Sequence, residues 1–324
     1  MKPGFGRRSF LAGSAGLVAA LAATRAMAQG GPPSAMQRWN SAEAIPLWPD
    51  QPPNGGFVAP PEPSPFPNWI TNVPMPELRI FRPIDSNGRS LLSIPGGAYR
   101  FVSIANEGVD VADAMTARGY TVYVLVYRLP GEGWNGRADV PLQDAQRAVR
   151  LIRAAAGAEG RDPGKLYGVG FSAGGHLAAS LATGFDEQLY APVDVADSSS
   201  ARVAAMGLVY PVISHETGVG HAESTRLLLG MNPSPELIAR RSPALHVTGE
   251  TPPCFIVHSF DDGAVPVENS LIMLRALREA GRPVEAHFFE EGGHGYGLGA
   301  PGMPASNWIG LFANWIERLD DQLG

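Results

Sequence analysis

From residue 77 onward the chain switches repeatedly between two hydrophobic periods. The runs 78–81 and 91–94 read as strands, and 120–127 is a near-continuous apolar, β-branched run typical of a strand buried on both faces. A helix is predicted at about 107–118. Leu142, Ala145, Ala148, Val149 and Ile152 recur at helical spacing and predict a long helix at about 141–157. A strand ending at Gly170, a helix at 174–183, strands at 203–212 and 255–257, a helix at about 267–280 and a strand at 284–289 follow. Trp308, Leu311, Phe312, Trp315, Ile316 and Leu319 mark a last helix that faces the core. Strands and helices alternating at these lengths predict an α/β fold, a mostly parallel central sheet with helices on both faces.

Two stretches break the rhythm. Residues 29–83 hold 14 of the 30 prolines, and proline can neither vary φ nor donate to a ladder. Yet Ile45, Leu47, Trp48, Phe57, Trp69 and Ile70 are too apolar for a solvated spacer, so 29–76 is expected to be an extended arm packed on the domain, against the rim of its active site. Residues 214–253 form a connection of unusual length, the signature of a lid or binding insertion. The catalytic domain is then 77–324.

Composition narrows the class. With 324 residues, 44% hydrophobic and 17% charged, the chain is globular. The single cysteine, Cys254, excludes an intramolecular disulfide framework and thiolate-rich metal centres. A formal charge of −6 without basic runs argues against a nucleic-acid partner. His215 and His221 lie in the long connection, but no third ligand stands at metal-binding spacing, and no metal or other cofactor is expected.

The first segment reads as an address. Arg7-Arg8-Ser9-Phe10-Leu11 opens an apolar run over 10–24, and Ala26-Met27-Ala28 supplies an A-x-A site. The run is too short to span a bilayer. Adjacent arginines before it resemble a bacterial twin-arginine signal, which implies removal of 1–28, a periplasmic or secreted protein, and no membrane anchor.

Chemistry is concentrated in three places. Gly170-Phe171-Ser172-Ala173-Gly174 matches G-x-S-x-G between a strand and a helix, the context that lifts a serine hydroxyl above a sheet. Both glycines are required by the tightness of that turn. An acid follows the strand at 255–257, where Asp261 and Asp262 compete and Asp262 is favoured because it stands three residues before Val265-Pro266. His294 lies in Glu291-Gly292-Gly293-His294-Gly295 after the next strand. Ser172 would attack an acyl carbon, His294 would take and return its proton, and Asp262 would orient the imidazole. The N–H of Ala173 and those of Gly97 and Ala98, in Pro95-Gly96-Gly97-Ala98-Tyr99, would hold the oxyanion. Tyr99 and Arg100 extend that loop and are candidate substrate contacts, His176 is expected to hydrogen-bond near the helix start, and His258 to brace the acid loop.

These residues, with Ile45-Pro46-Leu47-Trp48-Pro49, Tyr127-Arg128-Leu129-Pro130, Pro141-Leu142-Gln143-Asp144-Ala145 and Val265-Pro266-Val267-Glu268-Asn269-Ser270, resemble an α/β-hydrolase of the acetylxylan-esterase-like carbohydrate esterase group. That group is related to the hormone-sensitive-lipase branch and to bifunctional acetylxylan/feruloyl esterases, and the resemblance covers about residues 45–320. It implies a serine esterase acting on small acyl esters or acylated carbohydrate, with Ser172, Asp262 and His294 on the triad positions and Gly97 and Ala98 on the oxyanion loop. The chain departs from the lipase branch in having Pro95-Gly96-Gly97-Ala98 where that branch has His-Gly-Gly-Gly. Because acyl transfer to water serves esters and amides alike, the residues leave open a peptidase or amidase, or a non-catalytic carbohydrate-binding relative. Oligomeric state is not encoded in any motif.

Overall fold

The computed structural model describes Met1, residues 33–59 and residues 64–323. The signal expected at 1–28 lies, apart from Met1, outside the described residues. The core is an eight-stranded sheet. Its strands are β1 (Glu43–Pro46), β3 (Glu77–Phe81), β4 (Ser90–Ile94), β6 (Thr121–Val126), β7 (Leu166–Phe171), β8 (Met206–Val209), β9 (Cys254–Ser259) and β10 (Val284–Phe289), in the order β1-β3-β6-β4-β7-β8-β9-β10. From β6 to β10 every pairing is parallel, while β1 and β3 run antiparallel at one end. A two-stranded ribbon, β2 (Trp69–Ile70) with β5 (Val102–Ser103), stands apart. β4, β6, β7, β8 and β9 are buried along their whole length, as their near-continuous apolar sequences require. Edge strand β1 is mostly exposed and carries Glu43 and Pro46, residues that discourage a further strand from pairing there.

The helices are α1 (Ala35–Ser41), α2 (Asp110–Thr116), α3 (Val140–Ala156), α4 (Ser172–Thr183), α5 (Ala222–Leu229), α6 (Pro235–Arg240), α7 (Glu268–Glu279) and α8 (Trp308–Leu323). The α/β-hydrolase architecture follows from the order of these elements. α8 packs on β8 and β9, where Phe312 sits over Gly207 and Phe255 meets Phe312 and Trp315 at 5.4 and 5.5 Å between ring centroids.

Three elements differ from the sequence expectation. The strand predicted over 203–212 is four residues long, because Tyr210 adopts φ 37° and turns the chain out of the sheet. The helix predicted at 107–118 begins as a π-turn, Ala105–Val109, before α2. The stretch read as extended arm folds a helix and a strand. The hydroxyl of Ser34 accepts the Gln37 N–H at 3.2 Å while Gln37 Oε1 accepts the Ser34 N–H at 2.7 Å, a capping box that starts α1. β1 then joins the main sheet beside β3. Trp39, Leu47 and Trp48 are buried, and Trp48 Nε1 donates to Asp144, which forms a wholly buried ion pair with Arg128 at 2.8 Å.

Candidate active site

Five loops at the carboxyl ends of adjacent parallel strands build the site, the position where open α/β sheets place their chemistry. Ser172 directly follows β7 with φ 53°, a left-handed conformation imposed by the strand-to-helix reversal. The flanking glycines explain why it holds. A Cβ at Gly174 would lie 2.2 Å from the carbonyl oxygen of Ile94 and 2.3 Å from that of Pro95, and one at Gly170 would lie 2.4 Å from the Gly174 oxygen. No side chain can move to relieve contacts with backbone.

Ser172 Oγ lies 2.8 Å from His294 Nε2, and His294 Nδ1 lies 2.7 Å from Asp262 Oδ2. A carboxylate can only accept, so Nδ1 carries the proton and Nε2 is left to accept from the serine hydroxyl. Asp262 is thereby distinguished from Asp261. Asp262 Oδ1 accepts the N–H groups of Ala264 and Val265 at 2.9 and 2.8 Å, whereas Asp261 Oδ1 accepts the Gly293 N–H at 2.8 Å and so braces the histidine loop from outside. His258 Nε2 stands 3.1 Å from Asp262 Oδ2 and 3.0 Å from the Val265 carbonyl, so it donates to both while Nδ1 accepts from Ser270. Burial by itself would raise the Asp262 carboxyl; hydrogen bonds from His258, His294 and Val265 outweigh it and hold the group well below the usual aspartate range.

Gly97 (φ 126°) and Ala98 (φ 56°) line a cavity of about 480 Å³ together with Ser172 and His294. Gly96 is held differently: its N–H donates to Glu107 Oε2 at 2.7 Å. Among the described residues none accepts a hydrogen bond from the N–H of Gly97, Ala98 or Ala173, which leaves these three donors for a ligand oxygen.

Tyr99 and Arg100, the candidate substrate contacts, do not line this cavity. Tyr99 also has positive φ, 61°, which swings its ring into the domain, where it is buried with its hydroxyl 2.7 Å from His176 Nδ1. His176 Nε2 lies 2.8 Å from the Arg241 carbonyl and 2.9 Å from His215 Nε2, and burial lowers its pKa to about 4, so the ring is neutral and accepts from Tyr99. Arg100 points outward to Glu223. Asn68 and Trp69 of the proline-rich stretch, Phe101 and Asn106 after the oxyanion loop, and His221 and Glu223 of the long connection line the cavity instead.

Two buried residues escaped sequence reasoning. Glu107, in the π-turn, accepts from Gly96 and, through Oε1, from the Tyr210 hydroxyl at 2.8 Å. Tyr210 also accepts the Gly297 N–H at 3.0 Å. The available signals were an acid among small and apolar residues soon after the glycine-rich loop, and a tyrosine at the carboxyl end of a core strand.

The sequence model of the BD-FAE family matches residues 79–277. The chain is 40% identical over 206 residues to endo-1,4-beta-xylanase B of Butyrivibrio fibrisolvens, covering 63% of this chain and 32% of that protein. It is 30% identical over 247 residues to an acetylxylan esterase of Xylanibacter ruminicola, covering 75% of this chain and 48% of that one. The chain thus spans about a third to a half of the length of these curated relatives. Among solved structures, an acetyl ester-xyloside bifunctional hydrolase from Caldicellulosiruptor lactoaceticus superposes with a TM-score of 0.73 at 34% identity, over 86% of this chain and 97% of that one. With an α/β-hydrolase sheet and a family match over more than half its residues, the chain belongs to the BD-FAE family, an α/β-hydrolase esterase group.

Proposed function

We propose that the protein is a serine hydrolase of carboxylic esters that removes acetyl or other small acyl groups from plant polysaccharide or its fragments. The observation that carries this reading is the unbroken hydrogen-bonded line from Ser172 through His294 to Asp262, beside three backbone donors that have no acceptor among the described residues. Ser172 Oγ attacks the acyl carbon as His294 Nε2 accepts its proton, and Asp262 stabilises the resulting imidazolium. The tetrahedral oxygen gathers negative charge beside the N–H groups of Gly97, Ala98 and Ala173. Collapse of the intermediate breaks the bond to the alcohol oxygen, which takes the proton from His294. Water then repeats the sequence on the acyl-enzyme, releasing the acid and restoring Ser172.

Similarity to an acetylxylan esterase and to an acetyl ester-xyloside hydrolase supports the acylated-carbohydrate substrate class. The paired arginines and the A-x-A site support export with loss of 1–28. No helix among the described residues is long and apolar enough to cross a membrane. One hydrolysis panel tests the substrate class: acetylated xylan, acetylated pectin, methyl ferulate and p-nitrophenyl esters of increasing chain length. Acetylated polysaccharide and the shortest acyl chains should turn over fastest. A preference for long acyl chains contradicts the assignment.

A further inference from the structure

The cavity of about 480 Å³ at Ser172 is far larger than an acetyl group, and its lining extends beyond the triad and the oxyanion loop. Asn68 and Trp69 of the proline-rich stretch and His221 and Glu223, at the start of α5, line it as well. Resting on the esterase reading above, we propose that these four residues form a subsite for a hydroxyl-rich leaving alcohol, and that His221 Nε2–H is the donor that selects it.

The hydrogen bonding of His221 fixes its tautomer. Nδ1 caps α5, accepting from the Ser224 N–H at 3.3 Å and the Ser224 hydroxyl at 2.8 Å, so the ring proton resides on Nε2. Among the described residues Nε2 has no partner. Burial, reinforced by the nearby His294, lowers the His221 pKa and keeps the ring neutral, a donor without net charge. The other polar side chains of the cavity are already engaged. Asn106 donates to the Gly295 carbonyl and accepts from Ser103, while Glu107 serves Gly96 and Tyr210. Apart from the backbone donors of the oxyanion loop, the side-chain groups left over among the described residues are His221 Nε2, the Asn68 amide and Glu223 Oε2, the Arg100 contact being to Glu223 Oε1.

Geometry decides which half of the ester meets these groups. The alcohol oxygen has to receive its proton from His294 Nε2, so the leaving group lies on the histidine side of a cavity that His221 and His294 line together. Two donors and an acceptor around Trp69, which stacks on Phe101 at 4.0 Å, match a sugar's hydroxyls and apolar ring face.

His221→Asn is the discriminating variant, since asparagine retains the helix cap but is too short to present the imidazole donor. Its kcat/KM is compared with wild type on an acetylated xylo-oligosaccharide and on p-nitrophenyl acetate, whose leaving group has no sugar hydroxyls. The expected result is a loss on the sugar ester about tenfold greater than on the aryl ester, carried mainly by KM. Asn68→Ala, in the same cavity, should show the same selective loss. Equal losses on both substrates, or none, overturn the subsite. Wild type that cleaves p-nitrophenyl acetate but no acetylated sugar overturns the substrate class beneath it, a failure visible before either variant is made.

Discussion

The hydroxyl of Tyr210 donates to the buried carboxylate of Glu107 at 2.8 Å, and through this bond the oxyanion loop is tied to the loop that carries His294. On one side Glu107 holds the Gly96 N–H; on the other, Tyr210 receives the Gly297 N–H. The T-shaped contact of the Tyr210 ring with His294, 5.0 Å between centroids, adds a second restraint. Burial pushes the Glu107 carboxyl above the ordinary glutamate range, with the hydrogen bonds from Gly96 and Tyr210 working against that rise. A carboxylate kept in such a place is an expense to the fold, and its position between two catalytic loops supplies the reason.

Tyr210→Phe therefore removes the donor to Glu107 and the acceptor for Gly297 while keeping the ring. Denaturant titration should show a loss of about 1–3 kcal/mol, the range for buried polar groups left unpaired. Because the two loops lose their tie, kcat should fall about tenfold with KM little changed. Unaltered kcat with reduced stability would reduce the pair to a structural contact.

For Asp262, the depressed native pKa sets the direction of a pH effect. The group's contribution to stability is complete above the unfolded carboxylate value of about 3.9 and is lost as pH falls toward the lower native value. The melting-temperature advantage of wild type over Asp262→Asn should therefore be constant near neutrality and shrink below about pH 4. Activity of the variant should drop on the order of 10⁴-fold, because an asparagine can leave the imidazole in the wrong tautomer. A stability difference that widens on acidification would contradict the pairing.

Gly174→Ala tests the turn itself. The new methyl would sit 2.2 and 2.3 Å from two backbone carbonyl oxygens, so β4 and α4 must separate or the protein must lose the Ser172 geometry. A destabilisation of about 3 kcal/mol or more is expected from denaturant unfolding, together with loss of ester hydrolysis. A fully active, fully stable variant would mean that the elbow is looser than these distances describe.

What the sequence revealed and what it concealed divide along a physical line. Gly170, Ser172 and Gly174 are legible because the demand on them is local: a tight turn excludes Cβ atoms wherever it occurs. The central strands are legible because burial on both faces forces unbroken apolar runs such as 121–126. Tyr99 misled because two consecutive non-glycine residues with positive φ, Ala98 and Tyr99, reverse the side chain's direction, and no residue type there announces it. Glu107 and Tyr210 are 103 positions apart, and only the packed sheet brings them together. The proline-rich stretch hid a capping box and an edge strand, since Pro46 occupies a strand edge where proline's missing donor is harmless. Asn68 and Trp69 reach the cavity because β2 pairs with β5 and the Asn68 carbonyl accepts the Ile104 N–H at 3.0 Å, contacts between segments that no local pattern announces.

Everything proposed about the chemistry depends on Ser172 acting as the nucleophile, and steady-state turnover of p-nitrophenyl acetate by wild type and by Ser172→Ala measures that most directly. With circular dichroism confirming that the variant is folded, turnover should fall on the order of 10⁶-fold, the scale of a deleted catalytic serine. Turnover that survives the substitution at a substantial fraction of the wild-type rate would place the reaction elsewhere and contradict the assignment.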